Sequence, residues 1–176
     1  MKNRADVLFK RIRLLIWFFI FALVFSGLTA IPLEWELDLL AKVFGASNIS
    51  PEQATSGFVK WILKIREALQ ETNTRFPFLA YGTDWLAFGH IAIAIVFVGA
   101  LRNPVRNVWL FEFGLIACAL VVPWAFIFGG VRGIPVYWRL IDCSFGIFGI
   151  IPLWFCKRWT TELSQIEPEN LFKNTA

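Results

Sequence analysis

One histidine, His90, stands inside the apolar tract TDWLAFGHIAIAIVFVGAL, and one aspartate, Asp142, stands inside YWRLIDCSFGIFGIIPLW. An imidazole and a carboxylate can share a proton, hold a polar ligand or simply satisfy each other by hydrogen bonding. Ionisable groups within apolar tracts are rare and usually face protein or water rather than hydrocarbon. Arg139 precedes Asp142 at i, i+3, a spacing at which the two can pair on one helical face. Ser26 adds a hydroxyl near the end of another apolar tract, and Thr83 adds one at the start of the tract that holds His90. His90, Asp142, Arg139, Ser26 and Thr83 therefore form one candidate polar pocket. Glu112 belongs to a second polar group, with Arg102 and Arg106 as expected counter-charges.

Other chemistry finds little support. His90, Asp142, Cys143 and Asp84 give no trustworthy ligand spacing, so no metal is expected. A single histidine cannot supply two haem ligands. There is no Walker motif, no Gly-x-Ser-x-Gly elbow and no His-Glu-x-x-His pair. No cofactor is expected on these grounds. Cys118, Cys143 and Cys156 lie in apolar segments without C-x-x-C spacing, so they read as packing residues.

The composition names the solvent. Of 176 residues, 57% are hydrophobic and 17% charged, against about 45–50% and about 25% in a soluble domain. The 19 Phe and 9 Trp suit acyl chains and headgroup boundaries. A net charge of +4 is too small and scattered for a nucleic-acid surface.

Four segments are long and apolar enough to cross a bilayer, which takes about 20 residues: residues 14–32, 85–101, 108–128 and 137–156. The first looks like a signal peptide in layout, but Leu28 occupies the −3 position before Ala30, where a small residue is preferred. A retained span is expected. The links RNPVRN and GGVRGIP are short and turn-rich, which makes neighbouring helices antiparallel. Basic residues Lys2, Arg4, Lys10, Arg11, Arg13, Arg102, Arg106, Lys157 and Arg158 all fall on one side of four alternating spans, and that side should be cytoplasmic. Trp35, Trp85 and Trp138 mark the outer boundary. At about 1.5 Å per residue, His90 lies about 7–8 Å and Asp142 about 6 Å inside it, at one level.

The long loop, residues 33–83, carries its own helix signals. SPEQ at 50–53 pairs an N-cap Ser with Pro at the first helical position and Gln at the capping-box position. Ala54, Phe58, Trp61, Ile62, Ile65 and Leu69 then recur on one face, predicting an amphipathic helix over about residues 51–71. LEWELDLLAKVF before it is a shorter apolar-acidic stretch. The tracts YGTDWLAFGHIAIA and YWRLIDCSFGIFGIIPLW resemble small four-span membrane proteins of bacteria, and no activity follows from that resemblance.

The expected architecture is an all-α polytopic membrane protein. Residues 1–160 should form one antiparallel four-helix transmembrane bundle with an extracytoplasmic helical cap between spans one and two. Residues 161–176 should be a polar tail, and both termini should be cytoplasmic at an inner membrane. The leading function is binding of a small molecule or lipid by a non-catalytic or accessory protein. An intramembrane enzyme or proton-coupled carrier using His90 and Asp142, and a structural subunit of a larger complex, are the alternatives. Membrane lipids, further copies of the chain or other membrane subunits are the expected partners, and nucleic acid is not.

Overall fold

The computed structural model describes residues 2–166, and its regular structure there is entirely helical. Six α-helices follow in order: α1 Lys2–Thr29, α2 Leu33–Val43, α3 Gly57–Arg75, α4 Tyr81–Arg102, α5 Val108–Val131 and α6 Val136–Ile166. Four of them, α1, α4, α5 and α6, supply segments long and apolar enough to cross a membrane. Their outward surfaces agree with that role. Trp17, Phe18, Phe21 and Phe25 of α1 are all more than half exposed. Water would not tolerate so continuous an apolar surface.

All four helices extend past their predicted spans at one end or both, α1 and α6 the furthest. α1 begins at Lys2 rather than near residue 14, and α6 continues ten residues past 156. The continuation of α6 has an apolar stripe of its own, with Cys156, Thr160 and Leu163 buried at three- and four-residue steps. The expected polar tail therefore starts later. Residues 161–166 are the end of α6, and 167–176 lie outside the described residues.

The chain divides into two compact units, residues 1–22 with 94–176 and residues 23–93. In the first, α1 buries Ala5, Leu8, Ile12, Ile16 and Ile20, one stripe at helical spacing. The α5–α6 pair packs closely because glycines remove the side chains between two backbones. A Cβ placed on Gly146 would meet the Cys118 carbonyl oxygen at 2.5 Å, and one on Gly149 would meet the Cys118 Sγ at 2.7 Å. This is the small-residue packing of membrane helices. Phe97 and Phe19 pack at a tilt of 52° with ring centroids 4.8 Å apart.

The second unit contains a helical hairpin made by α2 and α3. α2 stops in a Schellman motif, with Gly45 at φ +64°, the Gly45 N–H on the Lys42 carbonyl at 3.1 Å and the Ala46 N–H on the Ala41 carbonyl at 2.8 Å. Ala41, Ala46 and Leu63 are then buried together, with Ala54 and Val59 against them. The predicted start at Ser50 is present, with its N–H donating to Gln53 Oε1 at 2.8 Å. It opens only a 3-10 turn over Pro51–Gln53, and the α-helix begins at Gly57. Thr55, Ser56 and Gly57 are poor helix formers and break the segment. The most buried positions of α3 are Ile62 and Leu63, while Phe58, Trp61, Ile65 and Leu69 are half-buried at the margins of that face. At the 3-10 turn, the Glu52 carboxyl is held below the usual carboxylate range by its own backbone N–H and by the Ser50 hydroxyl.

Candidate functional site

The hairpin joins through two polar stripes that run antiparallel. On α2, Glu34 and Asp38 are one turn apart; on α3, Arg66, Gln70 and Asn73 are spaced the same way. Arg66 Nε forms an ion pair with Asp38, and Gln70 Nε2 donates to the same carboxylate at 3.4 Å. Asn73 Nδ2 donates to Glu34 Oε2 at 2.9 Å. Arg66 also reaches the Ser47 carbonyl at 3.4 Å. The guanidinium thus ties α2, the loop after it and α3 together.

A cleft of about 510 Å³ opens beside this network. Glu34, Asp38, Thr72, Asn73 and Thr83 provide its polar wall, and Ile31, Trp35, Leu69 and Leu79 are among its apolar lining. The Asn73 Oδ1 is buried and has no hydrogen-bond partner among the described residues. Buried acceptors are nearly always satisfied, so this oxygen is an exception in the wall behind the cleft, while the Asn73 amide nitrogen is held by Glu34. Two carboxylates and no lining cation make the cleft selective against anions. Mixed polar and apolar walls around a few hundred cubic ångströms are the usual form of a small-molecule site.

The residues singled out from sequence fall in different places. Thr83 lines the cleft, its hydroxyl donating to the Ala80 carbonyl at 2.7 Å. Ser26 and His90 belong to the same unit without lining it. His90 sits where α1 and α4 approach closely: a Cβ on Gly27 would meet the His90 Cβ at 2.9 Å and the Ala87 carbonyl oxygen at 3.0 Å. Its Nδ1 lies 2.8 Å from the Leu86 carbonyl of its own helix. A carbonyl only accepts, so Nδ1 donates this bond. Ser26 contributes its carbonyl to the Thr29 hydroxyl at 3.0 Å.

Asp142 and Arg139 belong to the other unit. The i, i+3 pairing expected between them is not what Arg139 uses. α5 ends in a second Schellman motif, at Gly133 with φ +67°, which turns the Ile134 carbonyl to accept from Arg139 Nε at 2.7 Å. The arginine stem lies over Gly129, where a Cβ would come within 2.9 Å of it. Asp142 instead lines a groove of about 490 Å³ with Ala117, Leu120, Val121, Trp124 and Ala125.

Glu112 also differs from expectation in its partner. It pairs with Lys157 Nζ at 3.0 Å, joining α5 to α6, rather than with Arg102 or Arg106. Both side chains are about half exposed, so the pair adds at most about 1 kcal/mol. No set of three or more metal-ligating side chains occurs among the described residues.

Sequence reasoning missed Glu34, Asp38, Arg66 and Asn73, which read singly as the solvated sides of two amphipathic helices. The available signal was the matched one-turn spacing of Glu34 and Asp38 on one helix and of Arg66, Gln70 and Asn73 on the other. No family model, curated protein or solved structure matches the chain, so its function has to be read from these side chains.

Proposed function

We propose that the protein is a membrane-embedded, non-catalytic binding protein whose cleft takes an amphiphile with a non-anionic, hydrogen-bonding head. The cleft of about 510 Å³ carries this reading, because it joins carboxylate, amide and hydroxyl groups to an apolar wall in one cavity. An amine- or hydroxyl-bearing head meets Glu34, Asp38, Asn73 and Thr83, while a chain lies along Ile31, Trp35, Leu69 and Leu79. The four spans form an antiparallel bundle in an inner membrane, and the α2–α3 hairpin caps it on the outer side.

Two measurements test this. In maltoside micelles, dodecylamine should bind at least tenfold tighter than dodecyl phosphate, as read by native mass spectrometry. Glu34→Gln with Asp38→Asn should erase that preference. Equal affinities for the two probes in the wild-type chain would remove the cleft as a headgroup site. For the orientation, a reporter fused after Ala176 should be active only in the form that works in the cytoplasm. Activity of a periplasm-dependent reporter at that position would invert the topology.

A further inference from the structure

On the start of α4, Tyr81, Asp84, Trp85 and Phe88 border a separate open recess of about 220 Å³. These positions recur at three- and four-residue steps, so one helical face presents all four. The Tyr81 and Trp85 rings stand 88° to each other with centroids 5.9 Å apart. The Trp85 and Phe88 rings stand at 82° and 5.3 Å. In each perpendicular pair the edge of one ring meets the face of the other. All three rings are more than half exposed, so the faces not covered in this way are accessible to a cation in the recess. Gly82 meets nothing within 4 Å, so no side chain crowds the neighbouring backbone. The niche holds several times the roughly 30 Å³ share of one water molecule.

Charge completes the description. Asp84 forms no ion pair or hydrogen bond with a described residue of its unit, and no lysine or arginine lines the niche. The nearest arginine in sequence, Arg75, is engaged by Glu71 at 3.0 Å and by the Phe76 ring at 5.6 Å. The positive end of the α4 dipole disfavours a cation here, and Asp84, in the first turn, offsets it.

We propose that Tyr81, Asp84, Trp85 and Phe88 form a binding site for a methylated ammonium group. Aromatic faces attract such an ion through the ring quadrupole. A primary ammonium must exchange three water hydrogen bonds for acceptors, and the niche offers one carboxylate. A quaternary ammonium donates no hydrogen bonds and loses none on entry. The same chemistry occurs in a choline-type lipid headgroup and in a free methylated amine. This site shares no lining residue with the cleft described above, and it stands or falls separately.

The experiment follows the Trp85 indole resonance of the full chain in maltoside micelles, identified by its loss in Trp85→Phe. Tetramethylammonium chloride should shift it saturably, with a dissociation constant on the order of millimolar. Ammonium chloride at the same ionic strength should give no saturable shift. Asp84→Asn and, independently, Phe88→Leu should each weaken binding about fivefold, with the other indole resonances unchanged. Identical responses to the two salts, or undiminished affinity in both variants, would overturn the site. Nanodiscs separate the sources. Loss of the tetramethylammonium response in phosphatidylcholine but not phosphatidylglycerol discs identifies a lipid headgroup. A response retained in both identifies a free solute.

Discussion

Gly146→Val should destabilise the protein by about 3 kcal/mol or more, near the upper end for overpacking a tight contact. The reason is geometric. The new Cβ would lie 2.5 Å from the Cys118 carbonyl oxygen, and a backbone atom within a helix cannot turn aside. α5 and α6 would have to separate, losing the contacts that small residues permit. Gly89→Val is the control, because a Cβ there meets nothing within 4 Å. Thermal unfolding in detergent should show a large drop for the first variant and little change for the second. Equal midpoints would mean that α5 and α6 do not meet at this glycine.

The second large effect is expected from a residue that does not line the cleft. Arg66→Ala should weaken dodecylamine binding about tenfold and destabilise the hairpin by about 1–2 kcal/mol. A hydrogen bond to a charged group contributes about 1.5–3 kcal/mol when well buried. Arg66 is 24% exposed and Asp38 45% exposed at the side chain, so solvent reduces that figure. Binding should suffer more than stability, because Asp38 would lose the group that orients it towards Gln70 and the cleft wall. Arg66→Lys should recover part of the stability but little of the binding, since an ammonium cannot hold Asp38 and the Ser47 carbonyl in one planar fork. An Arg66→Ala protein that binds dodecylamine like the wild type would separate the network from the site.

The sequence alone determined the solvent and the spanning elements. Apolar runs of about 20 residues have few alternatives to helix, because hydrocarbon offers no partner for an open backbone. Gly146 and Gly149 repeat on one stripe of α6, a pattern that permits close approach without naming the partner, which the structure shows to be α5. Ser50, Pro51 and Gln53 announced a local start that exists, because capping is settled by bonds within four residues. What followed that start was decided by propensity over a longer stretch, and Thr55, Ser56 and Gly57 restarted the helix at 57.

Partnerships between charges were decided only by the tertiary structure. A long side chain bonds whichever acceptor its helix is brought against, and nothing in the spacing of Arg139 and Asp142 reveals a carbonyl freed by the turn at Gly133. Glu112 met Lys157 for the same reason: α5 and α6 pack side by side, and sequence distance does not measure that approach. The cleft depended on it most of all. Glu34 and Asp38 read as a solvated edge until the turn at Gly45 folds α2 back along α3. Only that fold sets Arg66, Gln70 and Asn73 opposite them beside a cavity.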